Sequence, residues 1–301
     1  MDDLDVETLL LLRAARETGV LEALVRETDT VEETAAVAGV DERAARLTVE
    51  VLLAEGFLAR VGDAVEPTNR LLGFLAAADL RSVGRLPDRL DALDALAELP
   101  DTMQAGKPAT DGDRTHRLGA RGALDEATIR AVVTAAIRAA PESQRVLDVE
   151  GSPGSFATEF AARGREVTLA DRPDALDPSR SLLAVEPVDL VSVESGEPLP
   201  EGFDLVFAAD TTPTRNREEN CAFVARLADA ASEEGTVVLV DRLWDRSENS
   251  VPATIEAYAR HGGELYSESV FREWFEAAGL GDPEIRQVPG TDRYAVVGTH
   301  T

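Results

Sequence analysis

The chain has 301 residues, of which 44% are hydrophobic, and its formal net charge at pH 7 is -27. This length favours two domains with separate cores, and no apolar run reaches the ~18 residues that a membrane span requires. The charge argues against nucleic acid as a partner, because phosphate contacts need a surface rich in Lys and Arg.

The acidity is spread along the whole chain, and Lys107 is the single lysine among 30 basic residues. Dispersed acidity of this kind indicates adaptation to a salt-rich cytosol, as in haloarchaea, because molar salt shortens the Debye length to ~3 Å and screens self-repulsion. The N-terminus MDDLDVETLL lacks the basic region of a signal peptide, so we expect a cytoplasmic protein with no membrane partner. The single cysteine, Cys221, excludes an internal disulfide and a Cys-rich metal site, and we expect no metal.

The first part of the chain has the pattern of several helices followed by a short hairpin. Thr30, with Glu33 three residues on, and Asp41 are predicted N-caps, and Gly56 ends the last of these helices. The segment FLARVGDAVEPT then alternates like two short strands around Gly62 and Asp63. The predicted helices cover residues 4–18, 19–26, 31–40 and 41–55.

This order of helices and hairpin is typical of a winged-helix module. A winged helix suggests DNA binding, but the helix that follows Asp41 offers a mixed face of Glu42, Arg43, Arg46 and Glu50. The composition of that face favours packing or dimerisation over DNA binding.

A further amphipathic helix is predicted from Leu86 to Met103, followed by the turn-rich segment QAGKPATDGD and a bridging helix from Asp125 to Ala140. We place the domain boundary in this segment, which divides the chain into residues 1–105 and 106–301.

From Arg145 onward, apolar strand-like runs alternate with helical segments. This alternation predicts an α/β fold, with a parallel sheet covered by helices on both faces. The predicted strands are RVLDV, EVTLA, VDLVSV, FDLVFAA, TVVLVD and RYAVVGT, and the predicted helices are SFATEFAARG, REENCAFVARLADAASEEG and SESVFREWFEAAGL. Ligands of such sheets bind at the carboxyl ends of the strands.

Small residues and carboxylates follow the ends of several predicted strands. Gly151 to Gly154 form a turn into a helix, where backbone amides favour negative charge. Asp171 ends the second strand, about twenty residues further on, where a carboxylate can accept both hydroxyls of a ribose. Glu194 and Asp210 end the third and fourth strands, so these acids are expected to border one cleft.

The segment VLDVEGSPGSFATEFAARGREVTLADRP resembles motif I and the following acid of class I S-adenosylmethionine-dependent methyltransferases. EPLPEGFDLVFAADTT and LADAASEEGTVVLVD resemble later segments of that family, and the N-terminal module with LPDTMQAGKP resembles the winged-helix dimerisation domain of small-molecule O-methyltransferases. The resemblance implies a Rossmann-like seven-stranded sheet with its last strand antiparallel, preceded by a mostly helical winged-helix domain. It also implies a homodimer formed through the N-terminal domain, S-adenosylmethionine as cofactor, and methyl transfer to a small molecule at a hydroxyl group.

Carried over by position, the resemblance also implies roles for individual residues. Asp148 and the turn from Gly151 to Gly154 would face the methionine end of the cofactor, and Asp171 would hold the ribose hydroxyls. Glu194 would lie beside the adenine, and Asp210 would line the methyl-transfer cleft. The candidate cofactor-binding residues are Asp148, Glu150, Gly151, Gly154, Asp171, Glu194 and Asp210.

The loop departs from the family pattern D-V-G-G-G-P-G at two places, because Glu150 and Ser152 replace glycines. A Glu150 side chain that points into the loop would stand near the cofactor's carboxylate. Like charges ~4 Å apart at a dielectric of ~20 cost about 4 kcal/mol, which would abolish useful affinity. A side chain that turns outward, or that meets the ammonium or sulfonium instead, would be neutral or helpful, and the sequence leaves these alternatives open.

O-methylating members of the family place a histidine base after the fourth strand, and TTPTRNREEN contains none. Transfer from a sulfonium can rest mainly on proximity and alignment, to which a base adds about 10²–10⁴-fold. Asp210 and His261 are the candidate catalytic residues, and Trp244 and His261 are the candidate substrate-pocket residues. The main alternative is a degenerate relative that keeps the fold, binds no cofactor and acts as an interaction or regulatory protein; a DNA-binding regulator is disfavoured by the charge.

Overall fold

The computed structural model describes residues 4–26, 28–62, 64–75, 80–109 and 112–300. The chain divides into two compact units, Met1–Leu90 and Asp91–Thr301, so the first unit ends before the boundary expected at residue 105. Asp63 of the expected hairpin turn, and Thr110 and Asp111 of the expected boundary segment, lie outside the described residues. Within the described ranges, every helix is too short or too polar to cross a membrane.

The first unit consists of helices and one antiparallel hairpin. Its elements are α1 (Val6–Glu17), α2 (Val20–Arg26), α3 (Val31–Ala38), α4 (Glu42–Ala54), β1 (Leu58–Val61), β2 (Ala64–Pro67), α5 (Asn69–Leu75) and α6 (Leu80–Val83). Both predicted N-caps are present: the Thr30 hydroxyl accepts a hydrogen bond from Glu33 N at 3.3 Å, and Asp41 Oδ1 accepts one from Arg43 N at 3.0 Å. The short helices α5 and α6 were not predicted, and the winged-helix interpretation stays a prediction.

Four helices precede the large sheet: α7 (Leu86–Ala97), α8 (Leu99–Ala105), α9 (Arg114–Gly122) and α10 (Glu126–Ala139). The helical structure predicted from Leu86 to Met103 is present, but it is interrupted at Glu98, and Pro100 lies in the first turn of the second helix, where its missing N–H is tolerated. Helix α9 was not predicted, although Asp113 caps it by accepting a hydrogen bond from Thr115 N at 2.7 Å.

A seven-stranded sheet in the order β5-β4-β3-β6-β7-β9-β8 forms the centre of the second unit. Strand β9 is antiparallel to both of its neighbours, whereas β5, β4, β3, β6 and β7 run parallel. The elements are β3 (Arg145–Val149), α11 (Ser155–Ala162), β4 (Glu166–Asp171), α12 (Pro173–Leu183), β5 (Val188–Ser192), β6 (Phe203–Ala209), the 3-10 turn Thr212–Thr214, α13 (Arg217–Ala230), β7 (Ala231–Asp241), α14 (Ser250–His261), α15 (Glu268–Ala277), β8 (Glu284–Gln287) and β9 (Tyr294–Thr299). This topology confirms the predicted α/β fold, with a Rossmann-like sheet whose last strand is antiparallel and a helical region before it.

Alternate residues of the buried strands pack on opposite faces of the sheet. Leu147 and Val206 belong to the core on one face, and Val146 and Leu205 belong to the core on the other. The first core is completed mainly by α13 and α15, and the second by α10, α11 and α12. Helix α13 ends at Ala230, so the expectation of helix up to Gly235 was wrong: residues 231–235 begin β7.

Candidate functional site

The carboxyl ends of the parallel strands bring four aspartates to one edge of the sheet. Asp148 lies near the end of β3, Asp171 ends β4, Asp210 directly follows β6, and Asp241 ends β7. The registers place Asp148 beside Leu169 of β4 and Phe207 of β6, within two or three positions of Asp171 and Asp210 along those strands. The edge is therefore acidic, as expected from the strand endings.

Asp148 is the most deeply enclosed of the predicted cofactor-binding residues. Its side chain is 1% exposed, and within the described ranges neither of its carboxylate oxygens has a hydrogen-bond partner. Burial raises its pKa to about 7, against the opposing field of Arg121 and with a contribution from Asp171. Gly151 lies directly against this carboxylate, and a Cβ at that position would overlap it.

Asp171 ties the loop after β3 to the end of β4. Its Oδ2 accepts a hydrogen bond from Ser152 N at 3.1 Å, and its Oδ1 accepts one from Arg172 N at 2.8 Å. Burial raises its pKa even though these two amides favour the charged form. Each carboxylate oxygen keeps a second lone pair, so the group can accept further hydrogen bonds.

Gly154 sits at the N-terminus of α11 with φ +103°, a backbone conformation that residues with a Cβ rarely adopt. A Cβ there would also approach Leu183 Cδ2 to 2.6 Å. The glycine is therefore required by both its backbone and its neighbour. The turn that it closes leads into α11, whose first amides have no acceptor within the helix and no side-chain cap at Gly154.

Glu150 is turned toward the loop after β6, where Arg215 donates a hydrogen bond to its Oε1. Its backbone has φ +56°, so a non-glycine residue occupies the left-handed region where the family pattern has glycine. The ion pair is partly buried, with the Glu150 side chain 28% exposed and that of Arg215 19% exposed.

Arg215 is itself held from three sides. Its Nη1 donates to Thr211 O at 2.9 Å, and its guanidinium lies 4.3 Å from the ring centroid of Phe223. Its own carbonyl accepts a hydrogen bond from the Tyr266 hydroxyl at 2.8 Å. These contacts fix the cation that neutralises Glu150.

Asp210 forms a bidentate ion pair with Arg293, with Nε to Oδ1 at 2.9 Å and Nη2 to Oδ2 at 2.9 Å. Although burial opposes it, Arg293 holds the pKa of Asp210 below its ordinary value. Next to this pair, Asp241 Oδ2 accepts hydrogen bonds from Thr212 N at 3.2 Å and Thr212 Oγ1 at 3.0 Å. Burial, with the nearby Asp210, raises the pKa of Asp241.

The other predicted residues lie beyond the ends of β5 and β7 and in helix α14. Glu194 is exposed beyond the end of β5, and Trp244 is 45% exposed beyond the end of β7. His261 is in the last turn of α14, where it lines a separate cavity of about 150 Å³. The other residues of that cavity are Asp91, Asp94, Ala95, Gly112, Asp113, Arg117 and Arg260. The structure thus groups Asp148, Glu150, Gly151, Gly154, Asp171 and Asp210 at the carboxyl ends of β3, β4 and β6. Glu194 follows closely at the neighbouring strand, because Ser192 of β5 pairs with Asp171 and Val193 N donates a hydrogen bond to Asp171 O at 3.0 Å.

Sequence reasoning missed Arg121, Arg215, Arg293 and Asp241. Asp241 ends the predicted strand TVVLVD, so it could have been identified as Asp171 was, as an acid at the carboxyl end of a parallel strand. The three arginines come from a helix, a loop and the approach to β9 that share no motif with the cofactor loop. The sequence offers one general indication of these cations: several carboxylates that are buried together need positive charges nearby.

The arrangement suits a ligand that carries both hydroxyl groups and positive charge. Asp171 can accept from hydroxyls, and among the described residues neither oxygen of the buried Asp148 carboxylate has a hydrogen-bond donor. Gly151 and Gly154 keep side chains out of the turn between them. The residues present therefore fit an adenosine-type cofactor with an amino-acid end.

Solved structures with the same fold span almost the whole chain. The mitomycin 7-O-methyltransferase MmcR is 18% identical, with 98% of this chain and 94% of that chain covered and a TM-score of 0.71. Human N-acetylserotonin methyltransferase in complex with SAM is 18% identical, with 100% of both chains covered and a TM-score of 0.68. The O-methyltransferase NcsB1 from neocarzinostatin biosynthesis, in complex with SAM and 2-hydroxy-5-methyl naphthoic acid, is 18% identical, with 99% and 97% covered and a TM-score of 0.70. No protein-family model matches the chain, and no curated protein matches it in sequence. At this identity, the likeness shows the fold.

Proposed function

We propose that this protein binds S-adenosylmethionine and transfers its methyl group to a hydroxyl of a small molecule. The observation that carries the proposal is the buried carboxylate of Asp148, which has no partner among the described residues and lies against Gly151 at the acidic edge. The ammonium of the methionine moiety would supply the charge partner that Asp148 lacks. Asp171 would accept from the ribose hydroxyls, and Glu194 would lie beside the adenine.

The position of Glu150 supports this proposal. Its carboxylate is paired with Arg215, so the like-charge repulsion that the sequence left open is offset by a fixed cation. Glu150 without a cation would repel an anionic ligand, but here its charge and that of Arg215 neutralise each other. The loop can therefore approach a ligand with its backbone.

Bound S-adenosylmethionine would supply a methyl group on a reactive sulfonium. The residues of this chain would bind the cofactor, hold the acceptor in line and exclude water. Asp210 is a poor proton acceptor, because its carboxylate is committed to Arg293 and its pKa is lowered. We therefore propose that transfer rests mainly on alignment, with acceptors whose hydroxyl already ionises easily, such as acidic phenols; His261 remains the other candidate base.

Calorimetric titration with S-adenosylmethionine and S-adenosylhomocysteine in molar KCl tests the proposal directly. Both are expected to bind, and Asp171→Asn should weaken each by about a hundredfold, because hydrogen bonds to a charged group are lost. Asp177→Asn removes an equally negative but exposed side chain from α12 and should leave both affinities unchanged. Absence of binding by either compound at millimolar concentration would exclude the enzyme and favour a degenerate protein with the same fold.

We further propose a homodimer formed through the first unit. Six large apolar side chains of this unit are exposed, against five in the much longer second unit, among the described residues. Those of the first unit are Val6, Leu10, Val37, Leu47, Val61 and Leu72. Exposed apolar surface of this kind favours association. Sedimentation of the full chain should give a dimer, and Leu47→Glu should shift it toward monomer; a monomeric wild-type chain would refute the dimer.

A further inference from the structure

Asp241 is a buried carboxyl group to which the proposed methyl transfer assigns no role. It ends β7, and the pairing of Ala209 with Val240 places it next to Asp210 at the acidic edge. It is 1% exposed. Its Oδ2 accepts two hydrogen bonds from Thr212, whereas its Oδ1 is buried without a hydrogen-bond partner among the described residues. Buried polar atoms are nearly always partnered, so this oxygen calls for a donor from outside the chain.

The two neighbouring aspartates differ in their capacity to take up a proton. Both oxygens of Asp210 accept hydrogen bonds from Arg293, and this cation holds the pKa of Asp210 below its ordinary value. Burial, together with the charge of Asp210, raises the pKa of Asp241 toward neutral pH. A general base is most effective when its pKa lies near the working pH. Asp241 thus has both an available oxygen and a suitable basicity, and Asp210 has neither.

We propose that Asp241 accepts the proton of the acceptor's hydroxyl during methyl transfer. This inference rests on the proposed function and extends it to hydroxyls that do not ionise readily. The hydroxyl would donate a hydrogen bond to Oδ1 of Asp241. As the acceptor oxygen forms its bond to the methyl carbon, the carbon–sulfur bond breaks and its electron pair stays on sulfur, which becomes a neutral thioether. The O–H bond of the acceptor breaks, and its proton passes to Oδ1.

The hydrogen bonds from Thr212 position the carboxylate for this role. The backbone amide and the hydroxyl of Thr212 both reach Oδ2, at 3.2 Å and 3.0 Å, so they hold one oxygen and leave the other to the acceptor. A purely structural Asp241 would need only this tie between β7 and the 3-10 turn. Asp241→Asn can keep the tie, because one amide oxygen accepts two hydrogen bonds, while it removes the basic oxygen.

The test compares two phenols of different acidity at about pH 8, with saturating S-adenosylmethionine in molar KCl. At that pH 4-nitrophenol is mostly ionised, whereas 4-methoxyphenol is not. Asp241→Asn should lower kcat for 4-methoxyphenol about a hundredfold, and kcat for 4-nitrophenol by less than about threefold, because a base serves only a hydroxyl that still carries its proton. The affinity for S-adenosylhomocysteine should change by less than about twofold. Asp229→Asn, the matched control, changes an exposed carboxylate on α13 and should alter none of these quantities.

The pH dependence of the wild-type chain provides a second measurement that needs no variant. The ionised form of Asp241 is the base, so kcat for 4-methoxyphenol should rise as the pH increases toward neutrality and then level off. Asp241→Asn should remove this rise. Saturating cofactor at every pH keeps the ionisation of Asp148 from contributing, because that group acts on binding.

Three results would overturn the assignment of Asp241. The first is an equal loss of kcat with both phenols in Asp241→Asn, which would show a structural role. The second is a wild-type kcat for 4-methoxyphenol that does not change with pH. The third is a chain that binds S-adenosylhomocysteine but methylates neither phenol. A chain that binds neither S-adenosylmethionine nor S-adenosylhomocysteine would instead refute the proposed function on which the inference rests.

Discussion

Arg215, in the loop after β6, donates a hydrogen bond to the carboxylate of Glu150, in the loop after β3. The pair joins the two loops that would border cofactor and acceptor, and it gives the glutamate a cation as its partner. The sequence left open whether this glutamate obstructs the loop or turns outward. The structure shows the carboxylate paired with Arg215, a cation that the sequence did not indicate.

Glu150→Gly should therefore change the affinity for S-adenosylhomocysteine by less than about threefold. Its effect on the free energy of unfolding should also be small, because relief of the left-handed backbone, about 1 kcal/mol, opposes loss of a partly exposed ion pair worth up to ~1 kcal/mol. Calorimetric titration and urea unfolding in molar KCl would measure the two quantities. A gain in affinity of tenfold or more would show that the carboxylate obstructs the site.

Arg215→Met should do more harm than Glu150→Gly, because it leaves the carboxylate without its cation. We expect S-adenosylhomocysteine to bind about tenfold more weakly, because the bared carboxylate of Glu150 would repel the carboxylate of the ligand, and the partly exposed position of Glu150 screens much of that repulsion. The double variant Glu150→Gly/Arg215→Met should recover most of the loss. A double variant as weak as Arg215→Met would mean that the arginine acts on the ligand and not through Glu150.

Asp148 should make cofactor binding depend on pH near neutrality. Its pKa in the free protein is about 7, and an ammonium partner favours the ionised form. The affinity for S-adenosylhomocysteine should therefore rise about tenfold between about pH 6 and pH 8. Binding near pH 6 should also release a proton, which titrations in buffers of different ionisation enthalpy detect. Asp148→Asn should abolish both effects; a pH dependence that survives this change would belong to another group.

Asp148 should also make the stability of the fold depend on pH, but in the opposite direction: stability should fall with rising pH, whereas ligand affinity should rise. A carboxyl group whose folded pKa of about 7 lies above its unfolded value of 3.8 stabilises the fold fully below the lower value. That contribution is lost as the pH rises through about 7. Without ligand, the free energy of unfolding should thus be lower near pH 8 than near pH 5, and Asp148→Asn should flatten this slope. An unchanged slope in the variant would contradict the assignment.

The sequence predicted the sheet and its acidic edge because both follow from local patterns. Apolar runs define the strands, parallel strands end at one edge, and Asp148, Asp171 and Asp210 lie at or beside those ends. The ion pairs could not be predicted, since Arg215 lies 65 positions from Glu150 and Arg293 lies 83 positions from Asp210. Nothing local in the sequence indicates where a side chain of an irregular loop will point. Pairing across such distances is set by the packing of loops.

Gly151→Ala should be among the most damaging small substitutions in the loop. A methyl group there would overlap the Asp148 carboxylate, which is enclosed and unable to withdraw. We expect the free energy of unfolding to fall by about 1–3 kcal/mol, and the affinity for S-adenosylhomocysteine to fall with it. Asp148→Ala should relieve the overlap, so the two changes together should cost less than the sum of each alone. Strict additivity in urea unfolding would show that the two groups do not meet.

The Asp210–Arg293 pair should contribute more to stability than any exposed ion pair of the chain. Its side chains are 26% and 9% exposed, and removing one partner leaves an uncompensated charge in a poorly solvated place. Arg293→Met should therefore lower the free energy of unfolding by about 3 kcal/mol, and Asp210→Asn/Arg293→Met should recover part of that loss. Arg286→Met breaks an exposed pair with Glu284 and should cost less than about 0.5 kcal/mol. Equal effects of Arg293→Met and Arg286→Met in urea unfolding would show that the Asp210 pair is solvated, and Asp210 would then regain its place as a candidate proton acceptor.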